Sequence, residues 1–202
     1  MPLRGGSVLP LAGAGEHPEF VVRLAQALAD SGTRVTVVSD FDAVIEQIGR
    51  GRPRRGLTAM YSRQAGDDLQ GLASIAARAQ LTLVAVDDGR LARGLSLPSS
   101  EAVVLAGADT EALATAYARI KAMVGLGSIR DVCALFGRGT GGAPARLGHE
   151  RLAQTVQRFL GVDLAFGGAA PDTTLPGYYR RLADDLAEWA CGRGEGATWR
   201  PH

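Results

Sequence analysis

Short apolar segments that alternate with amphipathic helical segments constrain the fold of this chain more than any other feature. Runs rich in apolar and β-branched residues lie at 34–39, 81–86, 102–106, 132–136 and 162–166. Helical periodicity covers residues 19–31, 67–79, 110–124, 147–160 and 177–190. Near-continuous apolar runs of this length are typical of strands buried on both faces. The alternation predicts a three-layer α/β fold with a mostly parallel sheet and helices on both faces.

Length and composition fit one sizeable globular domain. The chain has 202 residues, of which 46% are hydrophobic and 21% are charged, an ordinary balance for a globular protein. We expect a single domain over residues 1–191 and a flexible tail over 192–202. The formal net charge of +1 provides no bulk attraction to nucleic acid or anionic lipid, so neither is an expected partner.

The cysteines and the lack of long apolar runs indicate a cytoplasmic protein. Cys133 and Cys191 lie far apart and form no CxxC pair, which is typical of free thiols in a reducing compartment. No run approaches the roughly 18 apolar residues of a membrane-spanning helix. The last helical segment, GYYRRLADDLAEWA, has a polar face of Arg180, Arg181, Asp184, Asp185 and Glu188. This is not the basic face that anionic lipid requires, so packing on the domain or contact with a protein partner is favoured over stable membrane insertion.

The segment GAGEHPE, residues 13–19, stands where a phosphate-binding loop is expected, between a first apolar strand and a helix. A working loop of the form G-x-x-x-x-G-K-[ST] uses glycines for backbone approach, lysine for the phosphates and a hydroxyl for magnesium. When the helices are aligned, Glu16 replaces the last glycine, His17 the lysine and Pro18 the hydroxyl residue. Gly13 and Gly15 retain the turn.

Each of these replacements acts against nucleotide binding. The Glu16 carboxylate would face a polyanion. Pro18 has neither a hydroxyl nor an N–H, although it suits the first position of a helix. His17 is mostly neutral at pH 7 unless its surroundings raise its pKa. The sequence therefore predicts a loop with the shape of a phosphate site and without its chemistry.

Several motifs beyond this loop carry a family resemblance. LTLVAVDDG, residues 81–89, is similar to a strand running into a D-x-x-x-G switch, with Asp87, Asp88 and Gly89 at its end. Two further segments resemble sequence patterns of the same family. They are AVVLAGADTEALATAYARIK, residues 102–121, and RLAQTVQRFLGVDLAFGGAAPD, residues 151–172. On these motifs the chain resembles the MinD/ParA family of deviant Walker ATPases, and within it the FlhG/FleN regulators of flagellar number.

The chain departs from this family at positions that handle nucleotide. Ala12 stands at the position of the family's signature lysine. Leu135, Phe136 and Gly137 stand where an adenine-reading asparagine is expected. The resemblance and these departures together predict a bacterial regulatory protein with a degenerate Walker A loop. We expect no catalytic residue, no bound cofactor and no metal site, and the three histidines are too scattered in sequence to suggest one.

The resemblance also implies the kinds of partner and the biological setting. A non-catalytic protein of this family would act through protein contacts, in flagellar assembly or placement. Its partners would be an FlhF-like GTPase, a transcriptional activator, an active MinD-like paralogue or a second copy in a homodimer.

Two enzyme functions stay open as alternatives. One is a MinD-like ATPase with an atypical loop that binds ATP and magnesium, in a flagellar or cellulose-secretion system. A more remote one is an NAD(P)-dependent oxidoreductase, suggested by Gly13-x-Gly15 and by the Y-x-x-x-K pattern of Tyr117 and Lys121. Pro18 breaks the dinucleotide glycine pattern, and Val104 stands where that enzyme class carries a serine.

Overall fold

The computed structural model describes residues 6–65, 71–92, 99–125, 127–137, 140–170 and 176–191. Within these ranges seven strands form one sheet: β1 (Ser7–Ala12), β2 (Val35–Ser39), β3 (Leu57–Tyr61), β4 (Leu81–Ala85), β5 (Glu101–Ala106), β6 (Asp131–Phe136) and β7 (Leu164–Ala169). All pairings are parallel, and the strand order is β3-β2-β4-β1-β5-β6-β7. The predicted α/β fold with a parallel sheet is confirmed.

The connections between the strands are helical. The α-helices are α1 (Pro18–Asp30), α2 (Asp42–Arg50), α3 (Leu72–Ala76), α4 (Asp88–Ala92), α5 (Thr110–Gly125), α6 (Gly142–Leu160) and α7 (Pro176–Cys191). Two short 3₁₀ turns cover Ala14–Glu16 and Ser62–Ala65. None of the helices in the described part of the chain combines the length and apolar character needed to cross a bilayer.

Both faces of the sheet are covered by helices, which explains the continuous apolar runs of the central strands. The helices α1, α2 and α7 pack on one face, against a core cluster that includes Leu9 and Leu83. The helices α3 to α6 pack on the other face, against a cluster that includes Val84 and Val104. Since successive residues of a strand point to opposite faces, a strand in the middle layer is apolar at nearly every position, with the buried Thr82 of β4 as an exception.

Several elements differ from the sequence expectation. The edge strand β3 and helix α2 were not anticipated, because LTAMY is only half-buried and lacks a continuous β-branched run. Helix α6 begins at Gly142, five residues before the predicted start at 147. β7 is displaced toward Gly167 and Gly168, which are residues that strand propensity disfavours. Residues 67–70 of one predicted helix and the expected tail at 192–202 lie outside the described residues.

Candidate functional site at the loop after the first strand

The loop between β1 and α1 lies at the carboxyl end of the central strand, in the crevice where open α/β sheets bind ligands. Gly13 has φ +81°, in the left-handed region. A Cβ at Gly13 would also stand 3.0 Å from Arg119 Nη1 and 3.0 Å from the Leu105 carbonyl oxygen. Glycine is therefore required here for its backbone conformation and for the close approach of an arginine.

The backbone amides of the loop are already hydrogen-bonded within the chain. The Gly13 N–H donates to Asp88 Oδ1 at 2.9 Å. The Glu16 N–H donates to the Gly13 carbonyl at 3.2 Å, and the His17 N–H donates to the Ala14 carbonyl at 3.1 Å. A phosphate-binding loop needs such amides directed at its ligand, so at these three residues the donors are committed elsewhere.

Arg119, from α5, is the centre of the site. Its side chain is only 9% exposed. Nε donates to Asp88 Oδ2 at 2.6 Å, and Nη2 forms an ion pair with Glu16. Burial alone would lower the pKa of Arg119, but hydrogen bonds and charge interactions with Glu16 and Asp88 raise it above its ordinary value. The guanidinium thus remains charged and joins the loop after β1 to the start of α4.

A second polar network lies at the carboxyl ends of the neighbouring strands β2, β3 and β4. Arg90 Nη1 donates to Asp40 Oδ1 at 2.7 Å and to Ser62 Oγ at 2.6 Å. Ser62 donates its hydroxyl to Asp40, and Asp40 also accepts the Asp87 N–H at 3.2 Å. Asp87 Oδ1 in turn accepts the Gly89 N–H at 2.9 Å. These hydrogen bonds hold the switch-like segment Asp87–Gly89 in place through contacts within the protein.

The predicted site residues therefore lie at the carboxyl ends of the strands, but they divide between two hydrogen-bond networks. Glu16 and Asp88 meet at Arg119, whereas Asp87 belongs with Asp40. Gly15 packs against Phe41, because a Cβ there would come within 2.8 Å of the ring, and Pro18 opens α1 as its first residue.

Sequence reasoning missed Arg119 and Ser62, and it considered Asp40 only as the acidic residue of a dinucleotide-binding fold. A signal for Arg119 existed: it lies between the buried helix positions Ala116 and Ile120, and an arginine near a buried helix face needs an acidic partner. The sequence alone does not say which carboxylates provide it.

His17 is half-buried next to Gly137, where a Cβ would stand 3.1 Å from its Cε1. Burial lowers the pKa of His17 below 6.5; Glu16 opposes this shift, and Arg119 adds to it. The imidazole is therefore neutral at pH 7, as the sequence suggested, and supplies no positive charge at the position of the loop lysine.

This burial makes stability depend on pH. Because the folded-state pKa of His17 lies below its unfolded value of 6.5, the unfolded chain binds more protons just below pH 6.5. We expect the free energy of unfolding to fall as pH is lowered through this range, and His17→Gln to reduce the slope. Urea denaturation of both proteins at a series of pH values measures this. Identical slopes would contradict the burial of a neutral imidazole.

A cavity of 160 Å³ adjoins the loop. Its wall is formed mainly by apolar and aromatic residues, including Phe20, Leu105, Phe136 and Tyr179, with Glu16 at its margin. The rings of Phe20 and Tyr179 lie 5.8 Å apart. The described lining contains no lysine or arginine, so this cavity offers no counter-charge to a phosphate group.

Comparisons with known proteins identify the fold. No family model matches the chain, and no curated protein matches it. Among solved structures, a MinD cell division protein from Aquifex aeolicus aligns with a TM-score of 0.57 at 12% identity, over 93% of this chain and 92% of that one. A ParA family ATPase from Chlorobium tepidum TLS aligns with a TM-score of 0.57 at 10% identity, over 92% and 98%. The fold is that of the MinD and ParA ATPases. HypB from Helicobacter pylori, in complex with nickel, shares it with a TM-score of 0.56 at 13% identity, over 96% and 92%.

In P-loop ATPases the loop between a strand and the following helix cradles the nucleotide phosphates. The residues here do not fit a triphosphate with magnesium. The loop lysine and hydroxyl are absent, the Gly13 amide is bonded to Asp88, and the Glu16 carboxylate lies at the loop. In the described part of the chain, no group of three histidine, cysteine or acidic side chains is placed to hold a metal ion.

The residues that suggested an oxidoreductase are arranged as an ordinary helix surface. Ile120 is buried, and Tyr117 packs against the same core cluster. Lys121 is exposed to solvent on α5. This is the arrangement that helical spacing predicts for Y-x-x-x-K when only packing is involved.

Proposed function

We propose that this protein is a nucleotide-independent regulator with the MinD/ParA fold, which acts through protein contacts and catalyses no reaction. The observation that carries the proposal is the cluster of Arg119, Glu16 and Asp88 at the phosphate loop. In this cluster the Glu16 and Asp88 carboxylates take the place of the negative phosphate charges, and the Arg119 guanidinium takes the place of the positive lysine charge.

The electrostatics of the cluster support this proposal. One guanidinium is bonded to two carboxylates, so the cluster carries a net charge of −1. A triphosphate approaching Gly13 would have to displace Asp88 from the amide and face Glu16 at short range. Like charges at close range oppose association by several kcal/mol in partly buried surroundings, and no lysine compensates.

A protein of this fold that binds no nucleotide can still act by binding other proteins. A MinC:MinD cell division complex from Aquifex aeolicus aligns with this chain at a TM-score of 0.57 and 12% identity, over 96% of this chain and 99% of that one. On the sequence resemblance, we place the protein in flagellar assembly or placement. Its partner would then be an FlhF-like GTPase, a transcriptional activator, an active MinD-like paralogue or a second copy.

We expect no measurable binding of Mg²⁺–ATP at millimolar nucleotide by isothermal titration calorimetry. A thermal-shift assay provides a second readout, because a ligand at a hundred times its dissociation constant stabilises the folded state by about 2.7 kcal/mol. The mass measured by light scattering should be the same with and without ATP.

The His17→Lys variant is the matched control for the loop lysine. It should bind ATP no better than the wild type, because Pro18 still lacks a hydroxyl and Asp88 still holds the Gly13 amide. Micromolar affinity of the wild-type protein for ATP, or a mass that increases only when ATP is added, would reject the proposal and favour an ATPase with an atypical loop.

A further inference from the structure

A groove of 770 Å³ runs along β7, at the edge of the sheet away from the phosphate loop. Its wall combines Phe166 to Ala169 of β7 with Arg146 of α6 and one face of α7. That face contains Arg181, Asp184, Asp185 and Glu188, which belong to the polar face of the last helix noted in the sequence. The groove is not part of the packed core, and it is separate from the loop after β1.

The strand at the base of the groove is an edge strand with a partly open backbone. Among the described strands β7 pairs only with β6. At its start the Leu164 carbonyl is bonded to His149 Nε2 at 2.9 Å, so a side chain covers that end. An edge strand presents backbone groups that can pair with another extended chain.

β7 contains a β-bulge in the part of the strand that lines the groove. Phe166 pairs with Ala134 and Gly168 pairs with Leu135, which leaves Gly167 as the extra residue. Gly168 has φ +108°. Bulges bend a strand and interrupt regular pairing. Gly167 packs on the side chains of Leu135 and Cys133, since a Cβ there would stand within 2.5 Å of both.

A buried polar atom without a partner lies beside these glycines. The Tyr178 hydroxyl is inaccessible to solvent and has no hydrogen-bond partner among the described residues. A Cβ at Gly168 would stand 3.9 Å from it. Burial raises the pKa of Tyr178, so the phenol stays protonated as a donor. A buried hydroxyl left unpaired is costly, so Tyr178 carries a polar atom near Gly168 that packing within the described residues does not satisfy.

The charged side chains that line the groove determine which kind of peptide segment it can bind. Asp184 and Glu188 are exposed and form no ion pair within the part of the chain that the structure describes. Arg146 lies over the Phe166 ring at 5.6 Å, and Arg181 Nε donates to the Gly177 carbonyl at 3.3 Å. With Asp185, the lining carries three carboxylates against these two guanidiniums, which gives a net charge of −1.

We infer that the groove receives an extended, basic segment of a partner protein, which pairs with the edge of β7 and places arginine or lysine against Asp184 and Glu188. This inference deepens the proposed role in protein contacts. The ATP titration tests the loop and the experiment below tests the groove, so the two can fail separately.

The opposite edge of the sheet supplies an internal comparison. β3 is also an edge strand, but the exposed Arg52 and Arg55 precede it and Arg63 follows it. A basic segment should therefore avoid β3 and an acidic one should not bind β7. Edge pairing alone would not distinguish the two strands.

The test uses ¹⁵N-labelled protein and a capped hexapeptide of alternating arginine and valine as the probe. We expect saturable chemical-shift changes at the amides of 166–169 and of Tyr178. The same peptide with glutamate in place of arginine, or with alternate backbone nitrogens methylated, should cause none at these amides.

Variants of the protein separate charge from general effects. D184N/E188Q should weaken arginine-peptide binding about fivefold to tenfold, since two exposed charge pairs are removed. E46Q/E111Q removes the same charge from exposed positions on α2 and α5 and should leave binding unchanged.

Three results would overturn the inference. The first is equal binding of the glutamate or methylated peptides at β7, and the second is shift changes by the arginine peptide at β3. The third is a doubled mass in light scattering that D184N/E188Q abolishes, because the groove would then bind a second copy of this chain.

Discussion

Val104→Asp is expected to prevent folding. Val104 is fully buried on a strand enclosed by β1 and β6, in register with Ala12 and Ala134. A carboxylate there would have no partner and no water, and an unpaired buried charge costs several kcal/mol. That is comparable to the whole stability of an ordinary domain, about 5–15 kcal/mol.

Circular dichroism and the yield of soluble protein measure the outcome. Ala114→Asp, at an exposed position of α5, adds the same charge without burial and should fold normally. A Val104→Asp protein with wild-type melting behaviour would contradict the placement of β5 in the interior of the sheet.

Arg119→Glu is expected to have the largest effect among substitutions at the site. It removes both ion pairs and adds a third carboxylate beside Glu16 and Asp88. Breaking a fully buried pair costs about 3–5 kcal/mol. Because Asp88 and Glu16 are 38% and 60% exposed, solvent screening reduces this, and we expect a loss of about 2–3 kcal/mol.

Urea denaturation gives this loss directly, and Arg78→Glu is its control. Arg78 is exposed on the connection after α3, so the same charge reversal there should change stability by less than about 0.5 kcal/mol. Equal effects of the two substitutions would mean that the Arg119 cluster contributes nothing specific to the fold.

The central part of the fold follows from sequence because its strands are buried on both faces. The expected strand at 81–86 corresponds to β4 within one residue, since Leu83 and Val84 face opposite layers and must both be apolar. β3 does not follow, because an edge strand needs no continuous apolar run. β7 is misplaced because Gly167 forms a bulge whose pairing no local propensity indicates.

The site was predictable in outline and not in its central residue. The turn at Gly13 and the absence of lysine at His17 are local features that a motif alignment detects. The pairing of Arg119 with Glu16 joins residues 103 positions apart. It depends on which face of α5 meets the loop, and the sequence pattern fixes that face only once the packing of the sheet is known.

The order of the strands also determines when the sheet can form during synthesis. β1 ends at Ala12, but its neighbours in the sheet, β4 and β5, begin only at Leu81 and Glu101. At about 5–20 residues per second, the ribosome releases the apolar β1 several seconds before either neighbour exists. The nascent chain therefore carries a buried central strand unpaired for that period, when aggregation competes with folding. The yield of folded protein should therefore be sensitive to the rate of translation.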